Sequence, residues 1–172
     1  MHRRRLLTTS AAVAALAVSA IAVRRVTMEA PSVDGTIAML SRLRQSVPVS
    51  SGAWNACQVF THIAQSIDYS MTGYPLLKPA TFRNTAGRAA FFAFSTAGAM
   101  RHNLVEPIPG APELPANGSP QDAIGRVISA LRTFAAYRGP LQPHFAYGAL
   151  SREEYADAHV LHIENHMREI RA

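Results

Sequence analysis

The chain has 172 residues, with 17 Lys and Arg against 11 Asp and Glu, for a formal net charge of +6. Five of these cations lie in or beside the first two dozen residues (Arg3, Arg4, Arg5, Arg24 and Arg25), which leaves 12 cations against 11 acids in the rest. The near-neutral remainder has no basic stripe with interleaved aromatic residues, so nucleic acid is excluded as an expected partner. Cys57 is the single cysteine, and the chain can therefore form no intrachain disulfide.

The N-terminal segment has the layout of an export signal. Three arginines precede an uncharged, alanine-rich run over residues 6–23, which contains the small-residue pattern Ala20-Ile21-Ala22. Arg3-Arg4-Arg5-Leu6-Leu7 fits a twin-arginine signal. Residues 1–25 are therefore predicted to be a disposable twin-arginine-like signal that directs export to the periplasm or cell envelope. The alternative is a permanent membrane anchor, since the run just reaches the lower length limit of a spanning helix.

Helical signals begin directly after this segment. Ser32-Val33-Asp34 predicts the start of a first helix, which ends before Pro48. Residues 53–71 contain neither Pro nor Gly and predict a second helix, ended by Gly73. Residues 84–102, dense in Ala and Phe, predict an additional helical segment that contains two glycines.

A connector then separates these helices from the C-terminal ones. Its sequence, EPIPGAPELPANGSP, has five prolines over residues 106–120, so helix cannot persist there. Ser119 followed by Pro120 predicts the start of the next helix, and the capping box from Ser151 to Glu154 predicts the start of the last. With no alternating strand pattern in the sequence, the expected fold is all-α: four main helices in a bundle, with one extra helical segment.

Three of the seven histidines lie in the last helix, in AHVLHIENHMREIRA. At 100° per residue, His159, His162 and His166 share a face with Tyr155 and the apolar residues that must turn inward, Ile163 and Ile170. Three buried imidazoles would need three separate hydrogen-bond partners, whereas one divalent ion satisfies two or three of them at once. The cluster therefore favours a metal site over hydrogen-bonded core histidines.

A second helix offers a further ligand. His62 lies on a polar strip of the second helix together with Gln58, Gln65, Ser66 and Tyr69. A solvated face is the alternative interpretation. Trp54 and Phe60 on the same helix favour an inward orientation, in which the strip would line a pocket.

Longer blocks of the chain resemble a known superfamily. HIAQSIDYSMTGYPLLKP, MRHNLVEPIPGAPELP and PHFAYGALSREEYADAHVLHIENH resemble the DinB-like superfamily with its YfiT-type metal-dependent members, and in particular an exported subgroup of unknown function with a twin-arginine signal. The resemblance covers residues 30–170. It implies that residues 30–172 form a DinB-like four-helix bundle of the up-down-down-up type, whose pocket holds a divalent transition metal, zinc or nickel, on three histidines.

The resemblance also implies roles for individual residues. His62 matches the ligand on the second helix, and His162 and His166 match the pair on the last helix. His159 is then extra, either replacing one of the pair or supporting them. His144, in PHFAYG, is expected to be the catalytic group, as an acid/base or a substrate contact at the pocket mouth; a loop histidine held by a cap is the alternative. Further residues are expected to orient ligands or substrate: Gln58, Gln65, Ser66 and Tyr69, with Asp68 holding an imidazole tautomer.

Two classes of function follow. The first is a metal-dependent hydrolase or thiol-dependent transferase acting on an unidentified small molecule. The second is a non-enzymatic module that binds metal or a small ligand, and a packing domain with vestigial histidines is a weaker third. The residue after His162 is Ile163, so the chain lacks the general base of a His-Glu-x-x-His motif. Contact with a membrane is expected only through an uncleaved N-terminal segment, and dimerisation stays open.

Overall fold

The computed structural model describes residues 32–172, most of which lie in helices, and this confirms the all-α class. The elements in chain order are α1 (Val33–Leu43), β1 (Val49–Ser50), α2 (Ala56–Thr72), α3 (Ala80–Phe82), a π-helical turn (Arg83–Gly87), α4 (Arg88–Ala97), α5 (Pro120–Ala136), α6 (Arg152–Met167) and β2 (Ile170–Arg171). Across residues 32–172 none of the helices combines the length and apolar character that a membrane crossing requires. The signal predicted for residues 1–25 lies outside the described residues and stays a prediction.

Side-chain caps fix the starts of the long helices, largely where the sequence predicts them. Ser151 and Glu154 form the capping box of α6, and Ser119 accepts a hydrogen bond from the Asp122 N–H at the start of α5. At the start of α2, Asn55 forms a second capping box with Gln58. Each cap satisfies backbone donors that a helix leaves unpaired, a contribution of about 1 kcal/mol.

The core forms where α2 packs against α5 and α6. Helix α2 lies most extensively along α5, while α6 contacts α1, α2 and α4. The fully buried side chains at these contacts are large and apolar: Phe60, Ile63 and Ile67 on α2, Ile124 and Leu131 on α5, and Tyr155 and Ile163 on α6. Burying each of them contributes roughly 1.5–3 kcal/mol. This packing fixes the distance between α2 and α6, the two helices that carry the predicted ligands.

The structure corrects two predicted elements. The helical segment expected over residues 84–102 begins earlier, at Ala80, and ends at Ala97, because Gly98 takes a left-handed conformation with φ of 63°. His102 therefore lies outside the helices, in residues 98–119 between α4 and α5, and from here on the whole of this segment is called the connector. Ile170, expected on the last helix, lies in β2, which pairs antiparallel with β1 through Ser50. Strands of two residues are too short to show an alternating pattern in the sequence.

The π-helical turn brings one loop close to the helix. A Cβ atom at Gly87 would lie 1.9 Å from the carbonyl oxygen of Ala146. Only a residue without a side chain allows this approach. The segment around Ala146 is closed by an antiparallel bridge between His144 and Gly148. Gly87 therefore sets the position of the loop that carries His144.

Replacing Gly87 with Ala should lower the free energy of unfolding by about 1–3 kcal/mol, because the new methyl group meets a backbone carbonyl that cannot rotate away. Gly87 has helical dihedral angles, so backbone strain is not involved. Urea denaturation measures the effect. Gly125→Ala on α5 is the matched control, since its Cβ would meet only the movable guanidinium of Arg44, at 3.1 Å. Equal stability of the two variants would contradict the close approach.

Candidate metal centre

Three histidines from two distant parts of the chain converge between α2 and α6. The ring centroid of His62 lies 5.1 Å from that of His162 and 5.2 Å from that of His166, and the latter two rings are 4.8 Å apart. One nitrogen from each ring lies within 4.8 Å of the others, so the group could hold a metal ion. The three residues predicted as ligands are thus brought together. We call them the histidine cluster.

The distances suit a common cation. The Nε2 atoms of His162 and His166 are 3.1 Å apart. Two nitrogens that bind one ion each lie about 2.0–2.1 Å from it. For N–metal–N angles between a right angle and the tetrahedral angle, the two nitrogens are then about 2.9–3.4 Å apart. The Nδ1 atom of His62 is also buried without a hydrogen-bond partner in the described part of the chain. The Nδ1 atom of His166 has no partner either, but it would not bind an ion that the Nε2 atom of the same ring binds. The donor set therefore fits a divalent transition metal.

Burial keeps the cluster neutral. His62 and His166 are 4% and 0% exposed, and His162 keeps some exposure where it borders a cavity. Burial, with a smaller contribution from neighbouring histidines, lowers the pKa of His62 to about 4 and that of His166 to about 3, and holds the pKa of His162 well below its usual range. Neutral imidazole is the form that binds metal, so protons compete little for these nitrogens at neutral pH.

A cavity of about 190 Å³ adjoins the cluster. His62 and His162 lie on its wall, and Phe82, Met100 and Ile108 supply apolar surface. The space thus admits a small molecule next to the candidate ligands.

His144 lies on the same cavity wall and is held in one orientation. Its Nδ1 accepts hydrogen bonds from the backbone N–H groups of Ala146 at 3.1 Å and Tyr147 at 3.2 Å, and its ring stacks on Tyr147 with centroids 4.3 Å apart. Because backbone N–H groups only donate, Nδ1 carries the lone pair and Nε2 carries the proton. Burial, and secondarily His159, lowers the pKa of His144 to about 3. The ring is therefore a neutral hydrogen-bond donor.

His159 lies outside the histidine cluster. Its Nε2 is 3.3 Å from the Ser70 hydroxyl, and its ring packs edge-on against Phe134 with centroids 4.8 Å apart. The side chain is 2% exposed, and burial lowers its pKa to about 3. His159 borders the cavity as a core histidine with a hydrogen-bond partner.

The residues of the polar strip predicted on α2 make different kinds of contact. Of its members, only His62 and Ser66 line the cavity among the described residues. The Gln58 side chain caps α2, and that of Gln65 donates to the Pro112 carbonyl at 3.4 Å. The Tyr69 ring packs on Tyr74, with centroids 5.6 Å apart.

Asp68 is turned toward a different neighbour. Burial raises the pKa of its carboxyl group, and the charge of Arg126 on α5 opposes that rise. Within residues 32–172, none of the hydrogen bonds formed by an imidazole goes to Asp68. A role for Asp68 in holding a histidine tautomer has no support from these contacts.

Three cavity residues with a charged or imidazole side chain were not among the predicted site residues: Lys78, His102 and Glu106. All three lie outside α-helices, where helical periodicity gives no information on orientation. His102 lies closest to the cluster, with its ring centroid 5.0 Å from that of His162 and 5.2 Å from that of His166. The sequence signals for His102 are its residue type and its place in the block MRHNLVEPIPGAPELP, neither of which predicts that it lies beside the cluster.

A family model described as Protein of unknown function (DUF1569) matches residues 22–172. The chain belongs to this family. Neither a curated protein nor a solved structure matches the chain. The family description assigns no activity, so the chemistry has to be argued from the histidine cluster and its cavity.

Acidification should destabilise the metal-free domain, because an unfolded histidine has a pKa near 6.5 while His144 and His159 have folded values of about 3. Between these two pKa values only the unfolded chain takes up the protons. The free energy of unfolding is therefore highest above about pH 6.5 and falls as the pH is lowered. Each histidine contributes up to about 1.4 kcal/mol per pH unit to this loss. His159→Gln should make the loss between about pH 6 and pH 4 shallower by roughly that amount.

Urea unfolding at several pH values, with a chelator present, measures this slope. Ser70→Ala is the control, since it removes the hydrogen-bond partner of His159 and keeps the imidazole. Its slope should equal that of the native chain. Identical slopes for His159→Gln and the native chain would show that His159 is not a neutral buried group.

Proposed function

We propose that this chain is a DinB-like metalloprotein that binds one divalent transition metal, zinc or nickel, through His62, His162 and His166. The adjoining cavity would host metal-dependent chemistry on a small molecule, either hydrolysis or thiol-dependent group transfer. The observation that supports this most directly is the convergence of three buried imidazoles beside an open cavity. In this proposal α1, α2, α5 and α6 are the four helices of an up-down-down-up bundle, and α4 belongs to the extra segment.

Packing alone gives a poor account of the histidine cluster. A core histidine normally has a hydrogen-bond partner, as His159 does in Ser70. The Nδ1 atom of His62 has none among residues 32–172, and the cost of such a buried polar atom is about 1–3 kcal/mol. A cation bound by the cluster would offset this cost with three strong bonds.

His62, His162 and His166 would hold the ion and would leave coordination positions open for water or a substrate. A divalent ion held in this way would supply a Lewis acid that polarises a carbonyl group or acidifies water. The chain contributes a fixed donor, since the Nε2–H of His144 borders the same cavity and its Nδ1 is held by two backbone N–H groups. We propose that this donor binds the substrate oxygen on which negative charge develops.

One observation favours the non-enzymatic alternative. While its loop is intact, His144 cannot accept a proton, because Nδ1 is engaged and Nε2 is protonated. Its role is then limited to donation, which would equally suit a module that binds a small ligand without turnover. Activity measurements distinguish the two functions.

Metal binding is checked on the domain purified without a polyhistidine tag. The native chain should hold one equivalent of zinc or nickel after reconstitution, and a free metal concentration of about 100 times the Kd should raise the free energy of unfolding by about 2.7 kcal/mol. His62→Ala and His166→Ala should lose both the bound metal and the added stability. His159→Gln is the control, since it removes a cavity histidine and leaves the cluster intact. A reconstituted native chain without metal would refute the proposal.

Catalysis is checked with a panel of small ester and amide substrates, with and without small thiols. We expect metal-dependent turnover, and His144→Asn should reduce it by about 10²–10³-fold, because one preorganised donor is lost. The Asn side chain can still accept from the loop N–H groups, so this variant tests the Nε2–H donor with the loop retained. His144→Asn should also keep its metal. If the native chain retains its metal and binds a small molecule of the panel but shows no turnover, the result would support the non-enzymatic binding module.

A further inference from the structure

A fourth imidazole adjoins the histidine cluster. The ring of His102 lies 5.0 Å from that of His162 and 5.2 Å from that of His166, which are the separations found within the cluster itself. His102 belongs to the connector between α4 and α5, whereas the other three histidines lie on helices. Among residues 32–172 it is therefore the one imidazole next to the cluster that a non-helical segment carries, between the buried side chains of Met100 and Ile108.

The tautomer of His102 is the one required of a metal ligand. Its Nδ1 lies 2.9 Å from the carbonyl oxygen of Asn103, and because a carbonyl only accepts, Nδ1 carries the proton. The lone pair is then on Nε2. A backbone carbonyl that binds the Nδ1–H of a histidine is the usual arrangement behind an imidazole that binds metal through its other nitrogen.

The Nε2 atom of His102 is left without a partner. It is buried and accepts no hydrogen bond from any residue in the described range 32–172. A surface histidine would hydrate this atom, and a packing histidine would pair it, as His159 pairs with Ser70. A lone pair that is buried, unpaired and adjacent to two candidate ligands is best satisfied by the ion that those ligands bind.

We propose that His102 binds the same ion through Nε2 as a fourth ligand, supplied by the connector. This inference rests on the proposed metal site. In the present geometry His102 is not part of the group whose nitrogens all lie within 4.8 Å of one another. Binding therefore requires the connector to move toward α6 when the ion is loaded.

The movement would link the ion to the shape of the cavity. Glu106, Pro107 and Ile108 line the cavity and follow His102 closely on the same connector. Closure of His102 on the ion would draw this wall inward and occupy one of the positions otherwise open to substrate. Release of His102 would open both the coordination position and the wall, so the connector acts as a ligand-operated gate.

The test compares the native chain with His102→Ala, and with His159→Gln as a control that removes a different histidine of the same cavity. Cobalt(II) serves as the probe, because its visible spectrum reports the number and type of ligands. Competition with a chromophoric chelator gives the affinity, and hydrogen exchange of residues 98–112 with and without cobalt reports closure of the connector. The metal-free variants are first compared by thermal unfolding.

We expect His102→Ala to weaken cobalt binding by more than about 100-fold, beyond the roughly 10–100-fold effect of removing a group that only orients a ligand. Its spectrum should change toward one fewer nitrogen ligand, and the metal-induced protection of residues 98–112 should be lost. His159→Gln should match the native chain in all three measurements.

Two outcomes overturn the proposal and are distinguishable from each other. If the native chain binds cobalt, His62→Ala abolishes binding and His102→Ala leaves affinity and spectrum unchanged, then only the fourth ligand is refuted and the three-histidine site stands. If the native chain binds no cobalt, zinc or nickel, the metal site and the fourth ligand are refuted together.

Discussion

The contact between α2 and α6 is the constraint on which the candidate site depends. Ile63 and Ile163 are both fully buried, and each is adjacent in sequence to a histidine of the cluster, His62 and His162. Consecutive residues of a helix point about 100° apart, so the apolar face and the imidazole face border one another on each helix. The interhelical distance that packs the core therefore also sets the distance between the rings. A substitution that changes the packing volume would move nitrogen atoms relative to one another, although it touches no ligand. The packing of the hydrophobic core thus determines the distances between the imidazole rings of the cluster.

Burial gives the cluster its chemical character at a cost to stability. Desolvation holds the three imidazoles neutral, which makes their lone pairs available, yet it also leaves ring nitrogens without partners. Both effects have the same physical origin, the exclusion of water from the contact between α2 and α6. An ion bound there would recover part of the desolvation cost, so metal affinity and folding stability are coupled. The same reasoning separates His159 from the cluster, because the Ser70 hydroxyl already satisfies its ring and little would be gained from a cation.

The sequence predicts the helices well because they depend on local periodicity, whereas the pairing of His62 with the two histidines of the last helix was implied by the resemblance to a known superfamily. Ser151 with Glu154 marks the start of α6, and the four-residue spacing of His162 and His166 places both rings on one face. Helical phase also predicts Gln58 and Gln65 to line the pocket, but phase alone does not show which residues of a strip cap the helix or bind a neighbouring segment. His102 could not be predicted as a neighbour of the cluster, since its position depends on a helix end at Gly98 and on the course of an irregular connector. The approach of Gly87 to Ala146 is likewise a contact between segments distant in sequence, and such a contact produces no periodic pattern in the sequence.

The irregular segments give the cavity its remaining chemistry. Helices supply the cluster, whereas the loop of His144 and the connector of His102 supply a fixed donor and an unpaired acceptor. The two differ in how they are held: His144 is locked by two backbone N–H groups and by stacking on Tyr147, while a single carbonyl orients His102. A rigid donor suits preorganised stabilisation of charge, and a lightly held imidazole suits a ligand that is exchanged.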